Sequence, residues 1–179
     1  MKRQAQKKMG EFDRMLLECV DSYYEDGEAA ISELAASNYD ALVERTREER
    51  LFCHHDYAHR NIIIEGKKVH VINFDYCCYE LKVYDLANLI RRKMRKCNWD
   101  IRKAENILDS YCSVEPLSRD EFVVLKAIIL FPQKFWRVAN RYYNTRRSWS
   151  ERSFVERLKE VTAEMGYHKN FIRNFSQIC

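Results

Sequence analysis

Between Leu51 and Asp75 the chain changes period, and that change constrains the fold more than any other feature of its 179 residues. Leu51 to His54 is a short apolar run. Asn61 to Ile64 is β-branched and bounded by Glu65-Gly66-Lys67-Lys68, and Val69 to Ile72 follows, ending at Asn73-Phe74-Asp75. Runs this short and this rich in Ile and Val, split by a Gly-containing turn, read as strands and a hairpin. The ends of those strands bring Asp56, Asn61, Asn73 and Asp75 close together. Four oxygen-bearing side chains in one place suit a hard cation such as magnesium.

On both sides of this stretch the apolar residues recur at helical spacing. Met1 to Tyr24 is expected as a helix with Met9, Phe12, Leu16, Val20 and Tyr23 on one face, stopped by Asp26-Gly27. A second helix is expected from about Glu28 into the forties, with a weak point at Ser37-Asn38, and Glu44 to Arg50 reads as its solvated end. A third runs from Leu86 to about Lys96 behind Asp85. The cations of its last turns, Arg91 to Lys96, read as a solvated end that suits the helix dipole rather than as an anion site. Asn98 or Asp100 caps a fourth helix, and Ser118-x-x-Glu121 is a capping box for a fifth. Pro132 precedes a sixth, with Phe135, Trp136, Val138, Ala139 and Tyr142-Tyr143. Ser148-x-x-Glu151 reads as a second capping box, opening a seventh helix that Gly166 ends. Phe171, Ile172 and Phe175 continue the spacing in the tail. The aromatic belt from Phe131 to Trp149 reads as helical core before it reads as a substrate cleft.

Composition closes off several classes. The chain is 46% apolar and 32% charged, which is globular and not disordered. Its net charge of +4 is too mild to decide a partner. No apolar run reaches the length of a membrane span, and the basic N-terminus lacks the apolar core of a signal peptide. Seven cysteines without a C-x-x-C pair point to free thiols in a reducing, intracellular compartment. Cys53 and His54 are strand neighbours facing opposite ways, so they form no nucleophile pair. His54, His55, His59 and His70 lack the thiol pairs or H-E-x-x-H helix of a zinc site. Arg137, Arg141, Arg146 and Arg147 interleave with aromatics, yet no RNA-binding signature accompanies them, so nucleic acid is disfavoured. The four glycines are isolated and build no phosphate loop.

His54, Asp56 and Asn61 have the spacing H-x-D-x-x-x-x-N, and Asn73-Phe74-Asp75 lies twelve residues further on. This resembles the phosphotransfer loop of the protein-kinase-like fold, in its aminoglycoside phosphotransferase and choline kinase branch. Within that branch it is similar to the kinase-like spore-coat proteins of spore-forming bacteria. The segments VYDLANLIRRKM (83–94) and LFPQKFWRVANRYY (130–143) look like that subfamily too. The resemblance implies an α+β, mainly α fold: the large C-terminal lobe of a kinase, about seven helices and a small β hairpin. The resemblance covers roughly Leu51 to the C-terminus and is less distinct over the first fifty residues; the chain is expected as one domain, 1–179, with a helical N-terminal region over 1–50, a catalytic-type element over 51–84 and a helical subdomain over 85–179. By resemblance Asp56 orients a substrate hydroxyl, and Asn61 holds magnesium on the ATP phosphates. Where the family pattern I-D-F-[DE] places the second metal ligand, this chain has Asn73, with Asp75 as an imperfect stand-in. His54 packs beneath the loop. Asp85 either hydrogen-bonds that loop from the helix below or caps the helix.

The resemblance also implies a small, mostly β lobe with a Gly-rich cover and a phosphate-pairing Lys. The first fifty residues read instead as helix, with Lys2, Lys7 and Lys8 on it, so that lobe is expected to be absent. Two functions follow as expectations. One is a phosphotransferase that uses ATP and Mg2+ but binds them weakly or not at all, and is inactive, as the isolated chain. The other is a non-catalytic scaffold or interaction protein of the spore coat. Expected partners are a separate small-lobe chain, coat proteins or a second copy of the chain, and the expected location is the cytoplasm or the spore coat.

Overall fold

A computed structural model describes residues 9–144 and 150–178. Among these, seven helices carry the chain: α1 (Glu11–Ala35), α2 (Tyr39–Glu48), α3 (Val83–Met94), α4 (Ile101–Cys112), α5 (Arg119–Leu130), α6 (Gln133–Asn144) and α7 (Glu151–Phe175). Four short strands sit between α2 and α3: β1 (Phe52–Cys53), β2 (Ile62–Glu65), β3 (Lys68–Val71) and β4 (Cys78–Tyr79). β2 and β3 form the expected hairpin, antiparallel with Glu65 opposite Lys68, turning on Gly66 at φ +58°. A left-handed turn residue of this kind favours glycine. β4 was not foreseen; it pairs with β1, Cys53 opposite Cys78, and closes the loop region from behind. The fold is therefore mainly α with a small β element.

Two helices run through glycines that local rules read as stops. α1 passes Gly27 because its neighbours grip it on both sides. Tyr23 donates its hydroxyl to the Val161 carbonyl (3.0 Å), Lys169 donates to Ser22 (2.6 Å), and Lys126 pairs with Glu33 at 2.7 Å. These contacts with α7 and α5 outweigh the roughly 1 kcal/mol that a helix-interior glycine costs. α1 breaks after Ala35, at the weak point near Ser37-Asn38, and α2 begins at Tyr39. α7 likewise crosses Gly166, since Val161 on one side and Phe171 and Phe175 on the other are all buried. The cap of α7 is Ser150, whose hydroxyl accepts from the Ser153 N–H; Ser148, which opens the expected box, lies outside the described residues. Glu151 instead accepts from the Phe12 N–H at 3.2 Å, tying the starts of α1 and α7 together. The other caps fall where the sequence puts them, on Asp100 and on the Ser118–Glu121 box. Met1 to Lys8, with Lys2, Lys7 and Lys8, also lie outside the described residues.

The core is divided in two. One half gathers α3, α4, α5 and the far end of α7, where Phe122 stacks on Phe175 at 5.2 Å. The other gathers the start of α1, α6 and the near end of α7, where Tyr23 stacks on Phe135 at 4.1 Å. Each fully buried large side chain contributes roughly 1.5–3 kcal/mol. Among the described residues no helix is long and apolar enough to cross a membrane, and the six described cysteines are free thiols.

Candidate active site

The loop between β1 and β2 is fastened from three directions. Asp85, in the first turn of α3, accepts the backbone N–H of His54 (2.6 Å) and of His55 (3.0 Å) with its two carboxylate oxygens. Asp85 therefore does not cap its own helix; it holds the loop above it. The grip allows His55 a left-handed backbone, φ 60°, that a bulky residue adopts only under external restraint. His54 is buried. Its Nδ1 accepts from the Asp56 N–H (3.2 Å) and its Nε2 lies 2.9 Å from the Ile72 carbonyl. Only the Nε2–H tautomer satisfies both bonds. Ile72 returns the link by donating its N–H to the Asn61 carbonyl at 3.0 Å. Loop and hairpin are thus locked in register.

Asp56 and Asn61 are buried, and the Asn61 amide donates both to the Asp56 carbonyl (2.7 Å) and to its Oδ2 (2.9 Å). With Nδ2 committed, Asn61 Oδ1 is turned toward Asn73, whose Nδ2 stands 3.4 Å away. Asn73 has φ 68°. Asp75 is exposed on the following turn, and no hydrogen bond joins it to the other three. The hairpin therefore assembles Asp56, Asn61 and Asn73, but not the full set of four that strand ends alone suggest. The described residues contain no group of three or more His, Cys, Asp or Glu side chains placed to hold a metal ion. The oxygens present are hard donors, so they fit magnesium in kind. One available carboxylate suits a cation that arrives on nucleotide phosphates, the usual habit of magnesium.

Two residues that sequence reasoning passed over complete the site. Arg60 reaches Asp56 Oδ2 at 2.6 Å and Arg92, from α3, reaches Oδ1 at 3.1 Å. Burial on its own raises the Asp56 pKa, but the hydrogen bonds from Asn61, Arg92 and Arg60 outweigh it and hold the carboxyl below its ordinary range. Asp56 is thus ionised at neutral pH. A carboxylate offers about four acceptor positions. Oδ2 takes two donors and Oδ1 takes one, so one acceptor position on Oδ1 remains. Arg60 had a local signal, since it stands four residues after Asp56. Arg92 is 36 positions away, within the basic run read as solvated.

Arg92 also lines a cavity of about 940 Å³, whose wall does not include Asp56 itself. His55, Tyr84, Asn88 and Arg91–Arg92 line it from the loop and α3, and Phe131, Lys134, Phe135, Arg137, Val138 and Arg141 from α6 and its approach. α3 and its C-cap therefore turn Arg91, Arg92 and Arg95 toward this cavity, while Lys93 and Lys96 of the same basic run stay solvent-exposed, as expected of a helix end. Phe131 and Phe135 of the aromatic belt line the cavity as well as packing the core, whereas Trp136 and Tyr143 are exposed. Trp149 lies outside the described residues. Arg91 donates to the Ile128 carbonyl (3.1 Å) and to Asn88 (2.7 Å).

A helical lobe whose strand-borne loop presents a braced Asp–Asn pair defines a kinase-like protein. The fold is that of a solved aminoglycoside phosphotransferase from Alicyclobacillus acidocaldarius, with a TM-score of 0.85 and 23% identity over 97% of this chain and 52% of that one. The chain belongs to the family described as "Spore coat putative kinase YutH", which it matches over residues 1–175. It is also similar to spore coat protein S of Bacillus subtilis, 28% identical over 80% of this chain and 41% of that protein. A homoserine kinase of Methylobacillus flagellatus is 26% identical over 57% of this chain and 33% of that protein. The chain spans about half or less of the length of each of these proteins.

Proposed function

We propose that this chain carries the catalytic loop of a phosphotransferase that moves the γ-phosphate of ATP to a hydroxyl, and that it is silent when it stands alone. One observation carries the reading: Asp56 is ionised, braced by Asn61, Arg60 and Arg92, and keeps one acceptor position on Oδ1. That position can accept the hydrogen bond of an incoming hydroxyl and aim its oxygen, the orienting role of such an Asp. Asn61 Oδ1 would hold magnesium, with Asp75 on the exposed turn as the available carboxylate, and the ion would supply positive charge against nucleotide phosphates. Asp85 and His54 position the loop. The described residues hold no glycine-rich strand pair, and their strand lysine, Lys68, stands opposite Glu65 at the hairpin turn; this supports silence in the absence of a nucleotide-covering lobe. A second reading, a non-catalytic scaffold of the spore coat, is favoured by Asn73, an amide where the kinase-type motif leads one to expect a carboxylate.

The test has two arms. Incubated with Mg2+ and ATP, the chain should release ADP only at background; turnover abolished by Asp56→Ala would overturn the silence. Titrated with Mn2+ by electron paramagnetic resonance, the chain should retain more of the ion when ATP is present, and Asp75→Ala should lower that retention. Equal retention with and without ATP, unchanged in Asp75→Ala, decides for the scaffold.

A further inference from the structure

The charge of the cavity beside Asp56 says what kind of acceptor fits it. Among the described residues seven cationic side chains line it, against two carboxylates. Those carboxylates are already matched: Glu164 holds Arg95 at 2.9 Å and Lys134 at 3.4 Å, and Glu160 lies 3.5 Å from Lys134. The inner wall, where Arg91 and Arg92 of α3 face Arg137 of α6, has no carboxylate of its own apart from Asp56 on Arg92. Arg91 shows the cost of this arrangement. Burial first, and then the neighbouring charges of Arg92 and Arg137, push its pKa down to about 10, with Tyr84 opposing. Guanidinium groups crowded in a concave, half-apolar wall are an anion site in the free state. The wall also offers Tyr84 and Phe131 as flat apolar surfaces and Asn88 and Asn140 as amides. Flat rings and amides of this kind suit a compact hydroxylated ring. The volume lies within the range of small-molecule pockets.

We propose that this cavity binds the acceptor, and that the acceptor is a small hydroxylated anion, a phosphate- or carboxylate-bearing sugar or polyol. Its anionic group sits against Arg91 and Arg137, and one of its hydroxyls reaches the open position on Asp56 Oδ1. Arg92 touches both regions and sets the spacing between them. The inference rests on the phosphotransferase reading and narrows it. The cavity's charge also rejects a polyamine: an amino sugar carrying several ammonium groups would meet a strongly cationic wall there. An acidic peptide would match the charge but needs an extended groove, and it is the competing outcome.

The experiment is binding without nucleotide, so that it does not depend on catalysis. Glucose 6-phosphate, glucose, inorganic phosphate, a triamino sugar and an acidic serine peptide are titrated against the intact chain by calorimetry and thermal shift. Glucose 6-phosphate should bind at least tenfold more tightly than glucose, and less tightly as salt rises. The triamino sugar should not bind. Arg137→Gln, an exposed substitution, should weaken glucose 6-phosphate at least fivefold while leaving the melting temperature of the free chain unchanged. Failure of glucose 6-phosphate and phosphate to bind at millimolar concentration overturns the proposal, as does tighter binding of the peptide or indifference to Arg137→Gln. Failure of the phosphotransferase reading looks different: the sugar phosphate binds at the arginines, but no nucleotide-supported transfer to it is found when the nucleotide-covering lobe is supplied.

Discussion

At position 73 an amide stands where kinase-like relatives are expected to carry a carboxylate, and the backbone bears on the choice. Its φ of 68° is left-handed, a region that Asn and Asp enter more readily than other side chains. Asn73→Asp should therefore fit. It replaces the donor facing Asn61 Oδ1 with a second acceptor, so the metal-free variant should lose about 1 kcal/mol. Magnesium or manganese should then raise its melting temperature more than it raises the parent's. Identical metal responses would mean that position 73 faces no metal and that the motif is misaligned. A second residue-scale expectation concerns His168, whose Nε2 lies 3.1 Å from the Ile129 carbonyl. Burial lowers its pKa, while that carbonyl, Asp26 and Glu164 pull upward and Arg91 pulls down. The unfolded chain then binds the proton more readily than the folded one. The His168 contribution is fully present above the unfolded value of about 6.5 and is lost as pH falls from there through the lower folded value. The gap in melting temperature between parent and His168→Gln should shift in that window, and a constant gap from pH 8 to 5 would contradict it. The juxtaposition of Asp56 with Asn61 was legible from a motif and its resemblance to the kinase-type loop. Arg92 was not, because its partnership with Asp56 exists only after α3 has packed beneath the loop.

Helix starts were more legible than helix ends. Ser118 and Asp100 cap where they stand, because a cap is a contact within four residues. Ser118→Ala should cost about 1 kcal/mol, read as a lower urea midpoint at unchanged slope; no shift would mean that the Glu121 carboxylate suffices for the box. Gly27 and Gly166 misled because a glycine's stop signal is weak and the packing that overrides it comes from distant helices. Tyr23 on Val161 and Lys126 on Glu33 cannot be read along a single helix. The β4 pairing was hidden for the same reason. Cys78-Tyr79 is too short to carry a period, and its partner β1 lies 25 residues back.

Over the whole molecule the β element gathers many of the exposed apolar side chains. Ile64 is 72% exposed and Val69 61%, and Phe52, Ile63, Phe74 and Tyr76 are exposed as well. Apolar area of this kind marks a contact surface, and a nucleotide-covering lobe is the occupant that the proposed function requires there. The isolated chain should therefore self-associate at high concentration in sedimentation, and Ile64→Lys with Val69→Lys should restore a monomer. A parent that stays monomeric would remove the basis for this surface. The general architecture was legible from one change of period and a set of helical faces, but the division of the core was not. Among the described residues, α7 is the helix whose buried residues belong to both halves, Phe154 to Val161 in one and Phe171 and Phe175 in the other. A continuous rod through two packed halves makes each half's survival a condition of the other's. The backbone amides of α4 and α6, one in each half of the core, should exchange with deuterium at a common slowest rate, so that the protein comes apart as a single unit.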